Sequence, residues 1–252
     1  MTETKHAIVT GGSRGIGAAI AEALTADGHR VTVLGRTEAA LRAVVARGAA
    51  AHHAVADVSD ETAMRAALLL AAERAGPVDM LVNNAGGASS APFLETPAAE
   101  FERMLGLNLM GCVHAIRATL PGMQARKWGR VVTVASTAAV KGYAYVSAYS
   151  AAKHGALGLT RSLAIEYARS GVTFNAVCPG FTESDLLDDS VARIVANTGR
   201  TEEQARAELA RFNPQRRLVS PREVANAVSF LCREDSGAIN GVSLPVAGGE
   251  IM

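Results

Sequence analysis

The residues whose types and spacing best suit chemistry are Tyr149 and Lys153, four positions apart on a predicted helix. Side chains at this spacing lie on one face of a helix. A phenol has a pKa of about 10 in water, and a nearby cation favours its ionised form. A tyrosine in such a field donates a proton to a carbonyl oxygen as hydride reaches the carbon, and accepts it in the reverse reaction. The pair is a weak signal by itself, because the spacing also arises by chance.

Two further polar residues extend this arrangement. Ser136 follows a predicted strand and precedes Tyr149 by thirteen residues, so its hydroxyl is placed to bond a substrate oxygen. Asn108 belongs to the preceding predicted helix, where it can hold a water molecule that links Lys153 to solvent. Together the four residues predict proton transfer at a carbonyl or an alcohol.

The first predicted strand leads into a glycine-rich loop from which a helix begins. Glycines let the backbone turn sharply and approach a diphosphate, and free amides at a helix N-terminus attract negative charge. The spacing differs from GxGxxG, and glycines at strand ends also serve plain turns. The strand–loop–helix context nevertheless predicts a dinucleotide site. Its candidate contacts are Gly11, Ser13, Arg14, Gly15, Ile16 and Gly17.

The end of the second predicted strand indicates which dinucleotide binds. An acidic residue usually holds the ribose hydroxyls of a cofactor that lacks the 2′-phosphate, and the segment 34–37 contains none. Arg36 and Arg14 are instead placed to clamp a 2′-phosphate. The other interpretation is a pair of solvated arginines. We therefore expect NADP(H), with NAD(H) as the alternative.

Two other strand ends carry weaker candidates for cofactor contacts. Asp57 and Val58 follow the third predicted strand and are placed to bond the adenine amino group. Asn84, Ala85 and Gly86 follow the fourth and suit a tight turn beside the cofactor. An Asn-Asn pair at a strand end is more often only a turn.

Short apolar strands alternate with Ala- and Leu-rich helical segments. Apolar strands that lack polar alternation, each followed by a helix, indicate a parallel sheet covered on both faces. Right-handed crossovers then give a doubly wound, Rossmann-like α/β fold of about seven strands in one domain, residues 1–252. The predicted strands are His6–Thr10, Arg30–Leu34, Ala51–Ala56, Met80–Asn83, Arg130–Ala135, Thr173–Val177 and Ser243–Val246. The predicted helices are Ile16–Asp27, Glu38–Arg47, Glu61–Ala75, Pro97–Gln124, Ala148–Ser170 and Pro221–Cys232.

One segment, residues 181–217, interrupts this alternation. It is polar and charged, and it follows a late strand. A long insertion at the carboxyl end of a strand is usually a substrate lid. The alternative is a plain surface excursion.

Composition argues against several classes of protein. The net charge is +1 and no basic stripe stands out, so we expect no nucleic-acid partner. No stretch of about 18 apolar residues lacks charges, so no membrane span is predicted. Cys112, Cys178 and Cys232 form no metal-binding or disulfide pattern, and we expect no metal and three reduced core thiols in a cytoplasmic protein.

These motifs together resemble the short-chain dehydrogenase/reductase family over essentially the whole chain. The glycine loop, the Asp57 site, the turn at 83–86 and the polar residues that follow occur in the family's order and spacing. The resemblance implies that Lys153 also grips the nicotinamide ribose. It implies a catalytic tetrad of Ser136, Tyr149, Lys153 and Asn108.

The resemblance carries further expectations for the second half of the chain. It implies that the segment after Pro179 and Gly180 holds the nicotinamide carboxamide, with Thr182 and Ser184 among the contacts. The family often has threonine at the position of Ser184, and usually has aspartate where this chain has Ala247. Family members are mostly homotetramers, so we expect a homotetramer.

The expected function is therefore NADP(H)-dependent transfer of hydride between nicotinamide and a ketone or secondary alcohol. The resemblance favours a 3-oxoacyl thioester, carried by acyl carrier protein or coenzyme A, or a ketone of the polyketide type. The alternative is an NAD-dependent dehydrogenase of a small secondary alcohol, sugar or hydroxyacyl substrate. A non-catalytic dinucleotide-binding regulator is a third interpretation, although such proteins usually lack the tyrosine or the lysine.

Overall fold

The computed structural model describes residues 4–251 and contains a seven-stranded sheet. The strands are β1 (His6–Thr10), β2 (Arg30–Gly35), β3 (His52–Val55), β4 (Met80–Asn83), β5 (Gly129–Val134), β6 (Val172–Pro179) and β7 (Ser243–Val246). Their spatial order is β3-β2-β1-β4-β5-β6-β7, and every neighbouring pair is parallel. The predicted doubly wound parallel sheet is confirmed.

Helices cover both faces of this sheet. The α-helices of the described residues are α1 (Gly15–Ala26), α2 (Glu38–Ala46), α3 (Glu61–Ala75), α4 (Ala98–Leu105), α5 (Gly111–Arg126), α6 (Ser147–Glu166), α7 (Asp185–Thr198), α8 (Glu202–Ala210) and α9 (Pro221–Cys232). The chain proceeds outward from β1 to β3 and then crosses back to place β4 on the other side of β1. This reversal opens a crevice at the carboxyl ends of β1 and β4, where ligands of such folds bind.

The buried strand β1 divides the core between the two faces. Ala7 and Val9 pack in a cluster that includes residues of α1, α2 and α9, whereas Ile8 packs on the opposite face with residues of α3 and α5. Every residue of β1 is buried, and so is every residue of β6. Strands buried on both faces need apolar side chains at consecutive positions, which explains the apolar runs in the sequence.

The predicted helix Pro97–Gln124 is confirmed as a helical segment, but it is not a regular α-helix throughout. A π-helical turn, Gly106–Met110, connects α4 to α5. Such turns often mark functional sites. At the start of α5 the backbone passes so close to its neighbour that a Cβ on Gly111 would lie 2.9 Å from Cγ2 of Val58. The sequence did not predict this irregular turn, which includes Asn108.

The polar segment 181–217 contains the helices α7 and α8, which the sequence analysis did not identify. Each helix has a small apolar face beneath its charged surface. Thr182, near the start of the segment, pairs with Val219 just after its end. The buried apolar residues between the two helices are Leu187, Val191, Ala205 and Leu209.

Within residues 4–251, no helix combines the length and the apolar character needed to cross a membrane. The same residues hold no group of three or more His, Cys, Asp or Glu side chains that could bind a metal ion. The three cysteines are buried and unpaired. Burial raises the pKa of Cys112 to about 11 and that of Cys232 to about 12, so both thiols remain protonated at neutral pH.

His6, the first residue of β1, links this strand to Gly76 after α3 and to Thr32 of β2. Its Nδ1 lies 2.7 Å from the carbonyl oxygen of Gly76, and its Nε2 lies 2.9 Å from Oγ1 of Thr32. A carbonyl only accepts, so Nδ1 carries the proton and Nε2 accepts from the threonine hydroxyl. Desolvation lowers the pKa of His6 below 6.5, and the buried ring is neutral in the folded protein.

This lowered pKa predicts a loss of stability in mild acid. Below about pH 6.5 the unfolded chain binds a proton at His6 that the folded chain does not, so the free energy of unfolding falls as the pH falls. The measurement is urea denaturation at about pH 7.5 and about pH 5.5 for wild type and His6→Asn. The difference between the two pH values should be smaller in His6→Asn than in wild type. The control His154→Gln, at an exposed histidine, should keep the wild-type difference; equal differences in all three proteins would contradict the assignment.

Candidate active site

The glycine loop between β1 and α1 has the backbone geometry that its sequence predicts. Gly11 and Gly15 have φ values of 64° and 51°, a region that favours glycine. A Cβ on Gly17 would lie only 2.2 Å from the carbonyl oxygen of Gly11, so the loop closes tightly against the first turn of α1. That first turn has no acidic residue and no side-chain cap. Its amides are therefore available to an anion such as a diphosphate.

Asn84 braces this loop. Its Nδ2 donates to the carbonyl oxygens of Thr10 and Gly11 at 2.9 and 3.2 Å. In return, Oγ1 of Thr10 accepts from the backbone amides of Asn84 and Ala85, both at 3.0 Å. The sequence predicted a turn beside the cofactor here, and the structure shows hydrogen bonds that tie the carboxyl ends of β1 and β4 together.

The predicted 2′-phosphate site lies on the surface at the end of β2. The Arg36 side chain is 75% exposed, and its NH1 lies 3.7 Å from Oδ2 of Asp57. Asp57 accepts through Oδ1 from the amide and hydroxyl of Ser59, which lowers the pKa of its carboxyl group. The nearest acid after β2 is Glu38, which accepts from Arg42. Arg36 is thus a largely free cation beside the expected ribose position.

Arg14 is paired with an acidic residue from another part of the chain. Its NH1 is 2.5 Å from Oδ2 of Asp185, at the start of α7. This partner lies 171 residues further along the chain, and the local sequence does not reveal it. The contribution of Arg14 to a 2′-phosphate clamp stays a prediction.

Val58 packs inward. It is buried, its carbonyl oxygen accepts from Nδ1 of His114 at 3.0 Å, and its side chain contacts the start of α5. Its contribution to adenine binding stays a prediction, as does that of Asp57. The backbone between them is held in place by the Ser59 turn and by α5.

Asn108 lies in the π-helical turn, where it is buried and fixed by several hydrogen bonds. Its Oδ1 accepts from the amide of Gly87 at 3.2 Å, and its Nδ2 donates to the carbonyl oxygens of Gly87 and Met104, both at 3.1 Å. The π-turn thus presents the asparagine side chain to the loop after β4. A straight α-helix would rotate this position relative to that loop.

Lys153 meets Asn108 beside the loop after β4. A Cβ on Gly86 would lie 2.7 Å from Oδ1 of Asn108 and 3.4 Å from Nζ of Lys153. The lysine is buried, and Nζ donates to the carbonyl oxygen of Val134 at 3.0 Å. This bond uses one of three ammonium hydrogens and leaves two for a ligand or a water molecule. Nζ also lies 5.8 Å from the centre of the Tyr149 ring, as the spacing on α6 predicted.

Ser136 lies just after the end of β5. Its Oγ accepts from the amide of Ala138 at 3.1 Å and caps a short 3₁₀ turn, Thr137–Ala139. Because Oγ acts as an acceptor in this bond, its own hydrogen remains available for donation. The side chain is half-buried at the same edge of the sheet as Tyr149 and Lys153.

The segment after Pro179 and Gly180 turns back towards the glycine loop. Oγ1 of Thr182 donates to the carbonyl oxygen of Gly180 at 2.9 Å, and Oγ of Ser184 donates to that of Thr182 at 3.1 Å. Ser184 also caps α7. Its Cβ lies 3.5 Å from the position of a Cβ on Gly15. The segment expected to hold the carboxamide is therefore in contact with the phosphate loop.

One functional candidate was not identified from the sequence. Glu250 has a side chain only 1% exposed and pairs with Lys141 at 3.0 Å. It also accepts a hydrogen bond from Tyr143. A single glutamate near the end of the sequence carries no pattern that distinguishes it from a solvated charge, so only the three-dimensional structure reveals it.

The comparisons with known proteins agree with this geometry. A model of the short chain dehydrogenase family matches residues 5–209. The chain belongs to the short-chain dehydrogenase/reductase family. The resemblance seen in its motifs is therefore confirmed, and the protein is an oxidoreductase of a family that uses NAD or NADP.

The names of the relatives of this short-chain dehydrogenase/reductase indicate more than one kind of substrate. It is 33% identical to the D-beta-hydroxybutyrate dehydrogenase of Rhizobium meliloti, with 98% of each chain covered. It is 34% identical to the 3-oxoacyl-(acyl-carrier-protein) reductase MabA of Mycobacterium bovis, over 98% of this chain and 92% of the relative. A solved structure of a variant of actinorhodin polyketide ketoreductase with NADPH superposes with a TM-score of 0.94, at 34% identity and 99% coverage of both chains.

The close approach at Gly17 predicts that cofactor binding to this short-chain dehydrogenase/reductase is sensitive to one methyl group. In Gly17→Ala the Cβ collides with the carbonyl oxygen of Gly11, a backbone atom that must move. We expect the Kd for NADPH, measured by calorimetry, to rise by about tenfold or more, which corresponds to about 1.4 kcal/mol. The control is Gly158→Ala on α6, where a Cβ meets nothing within 4 Å. Unchanged binding in a folded Gly17→Ala protein would contradict the proposed position of the diphosphate.

Proposed function

We propose that this protein is an NADP(H)-dependent reductase of a ketone, with a 3-oxoacyl thioester or a related ketone as its substrate. The observation that carries the cofactor assignment is Arg36, an exposed cation after β2 with no acidic residue in the segment 34–37. A guanidinium in this position suits a 2′-phosphate, whereas ribose hydroxyls without the phosphate call for an acid. The NADPH named for the similar actinorhodin ketoreductase structure supports the assignment.

The residues at the sheet edge fit a bound dinucleotide. The glycine loop offers free amides to the diphosphate, and Gly86, which has no side chain, lets the backbone after β4 lie close against Asn108 and Lys153. When bound, the cofactor supplies the hydride that reaches the carbonyl carbon. The two ammonium hydrogens of Lys153 not used by Val134 are placed for the nicotinamide ribose and a water molecule near Asn108.

The protein's own side chains manage the proton and the oxygen. Tyr149 donates its phenolic proton to the carbonyl oxygen, and Lys153 stabilises the phenolate that remains. Ser136 donates a hydrogen bond to the same oxygen, since its Oγ accepts from the amide of Ala138 and keeps its own hydrogen for donation. Negative charge that develops on the oxygen is thus met by two donors. Asn108, fixed by Gly87 and Met104, holds the water that returns a proton through Lys153.

The substrate assignment rests on the relatives. The 3-oxoacyl substrate follows from their names, one of which is a 3-oxoacyl-(acyl-carrier-protein) reductase. A second candidate is oxidation of a hydroxy acid with NAD, favoured by the similarity to D-beta-hydroxybutyrate dehydrogenase. The segment 181–217 serves as a lid in both cases, since it begins against the glycine loop and carries the packed pair α7–α8 above the sheet edge.

We also propose that the protein is a cytoplasmic homotetramer. The three buried, unpaired cysteines suit a reducing compartment. Apolar side chains on the α4–α6 side of the molecule remain open to solvent in the single chain, with Ile165 81% and Met110 41% exposed. A second copy packed on this side would cover them.

Replacing the proposed acid tests the chemistry. Tyr149→Phe should lower kcat for NADPH-dependent ketone reduction by about 10²- to 10⁴-fold, because the proton donor is lost. The Kd for NADPH should stay near the wild-type value. The control is Tyr145→Phe, at a tyrosine that is 66% exposed in the loop before α6. Wild-type turnover in Tyr149→Phe would favour another acid. Absence of turnover in the wild-type protein itself would favour the regulator interpretation.

Cofactor choice tests the Arg36 assignment. We expect wild type to bind NADPH at least about tenfold more tightly than NADH, a difference of about 1.4 kcal/mol. Calorimetry on Arg36→Ala should show this preference lost, with NADH binding unchanged. Arg42→Ala removes a neighbouring arginine that pairs with Glu38 instead, and should keep the preference. Equal or tighter binding of NADH by wild type would contradict the NADP assignment. It would favour the second candidate, oxidation of a hydroxy acid with NAD.

A further inference from the structure

A carboxylate lies buried beside the catalytic serine. The side chain of Glu250 is 1% exposed. Its Oε1 accepts a hydrogen bond from the Tyr143 hydroxyl and forms an ion pair with Nζ of Lys141 at 3.0 Å. The Tyr143 hydroxyl also lies 2.6 Å from Oγ1 of buried Thr137. Because the tyrosine has one hydroxyl hydrogen and gives it to Glu250, it accepts from the threonine.

This group of side chains borders the space where the ketone must bind. Thr137 directly follows Ser136, and the phenol of Tyr149 is close enough to contribute to the raised pKa of the Tyr143 hydroxyl. Oε2 of Glu250 lies 3.0 Å from the position of a Cβ on Gly180, at the start of the segment beside the nicotinamide site. The segment around Glu250 is therefore part of the substrate pocket.

Three aromatic rings complete the same wall. Tyr143 meets Phe181 edge-to-face at 6.2 Å and Phe212 at 5.7 Å, and the two phenylalanines are 5.2 Å apart. Nζ of Lys141 lies 4.8 Å from the centre of the Tyr143 ring. The wall is thus apolar except for one ion pair.

The charges of this wall disfavour the binding of an anion. Lys141 is paired with Glu250, which neutralises its charge. Oε2 of Glu250 is buried and has no hydrogen-bond partner among the described residues. An unpaired carboxylate oxygen in a region of low dielectric repels a second negative charge strongly.

We propose that Glu250 is a specificity-determining residue that excludes ketones bearing a free carboxylate and admits their neutral esters and thioesters. The inference rests on the proposed ketone reduction and specifies the substrate of that same site. A neutral 3-oxoacyl group places an ester or thioester carbonyl where a 3-oxo acid would place its anion. Exclusion of the acid therefore depends on the charge of Glu250 and not on the size of the pocket.

The test compares acetoacetate with ethyl acetoacetate, which share the reacting ketone and differ in charge. With NADPH, wild type should show a kcat/KM at least about tenfold higher for the ester. Glu250→Gln leaves Lys141 without a counter-charge, so the ester-to-acid ratio should fall by about tenfold or more, chiefly through a lower KM for acetoacetate. Lys141→Met leaves Glu250 uncompensated, so the ratio should rise.

Controls separate this inference from a general loss of structure. Glu234→Gln makes the same charge change at the opposite end of the sheet, where its backbone contacts Arg130, and should keep the wild-type ratio. In Glu250→Gln the tyrosine absorbance titration should also show a lower pKa for Tyr143, because the hydrogen bond to the carboxylate raises it. Thermal denaturation identifies any variant that fails to fold.

The outcomes distinguish the two proposals. If wild type, Glu250→Gln and Lys141→Met all reduce both ketones with the same ester-to-acid ratio of kcat/KM, the role of Glu250 is overturned. The reductase assignment is then unaffected. Preference of wild type for acetoacetate also overturns it. If wild type reduces neither ketone, the proposed function fails for these compounds, and calorimetry of both ligands on the enzyme–NADP⁺ complex then decides. Tighter binding of the ester, reversed in Glu250→Gln, supports the exclusion of anions; equal binding, or none, overturns it.

Discussion

The hydrogen bonds between Thr10 and Asn84 join the two strands at which the sheet reverses its direction of growth. One hydroxyl receives two amide hydrogens from the turn after β4, and one side-chain amide supports two carbonyl oxygens of the glycine loop. The loop has little freedom of its own, since Gly11 and Gly17 leave no room between them for a methyl group. The candidate contacts of the glycine loop depend on these bonds, because they fix where the N-terminus of α1 points.

The proposed catalytic residues depend on a second constraint, the π-helical turn between α4 and α5. A regular helix through 97–124 would carry Asn108 past the loop after β4 in a different rotation. The inserted turn instead lets its amide bond both polar groups of Gly87 and approach Lys153. Residues from the β4 loop, the π-turn, the end of β5 and α6 thereby meet at one edge of the sheet. The parallel arrangement brings the strand ends together, and the π-turn brings in the residue that no strand end supplies.

Much of this was predictable from the sequence, and the exceptions have a common cause. The strands were recognisable because burial on both faces demands apolar runs, and Tyr149 and Lys153 because α6 is regular over their spacing. The fold class and the family were correct for these reasons. The π-helical turn at Asn108, the pairing of Arg14 with Asp185 and the burial of Glu250 were not predicted. Each depends on a partner far away in sequence, and local patterns contain no information about such partners.

The helices α7 and α8 were also not predicted, because their packing against each other is not evident from the local sequence. Their apolar faces consist of a few residues each, within a segment dominated by charges. A sequence pattern of this kind resembles a solvated loop until the two faces are seen in contact. Thr182 and Val219 pair across the base of this segment and bring its two ends together.

The contact of Ser184 with the glycine loop bears on the kinetic order of the reaction. The segment proposed as the substrate lid begins against the glycine loop, the proposed diphosphate site, and Arg14 of that loop is bound to Asp185 of the segment. A dinucleotide in this site would be covered by the same residues that close over the ketone. The two ligands would therefore enter and leave in sequence, with the dinucleotide first in and last out. The slowest event in a catalytic cycle of this kind would be the opening of the start of α7, after the bond-making steps are complete.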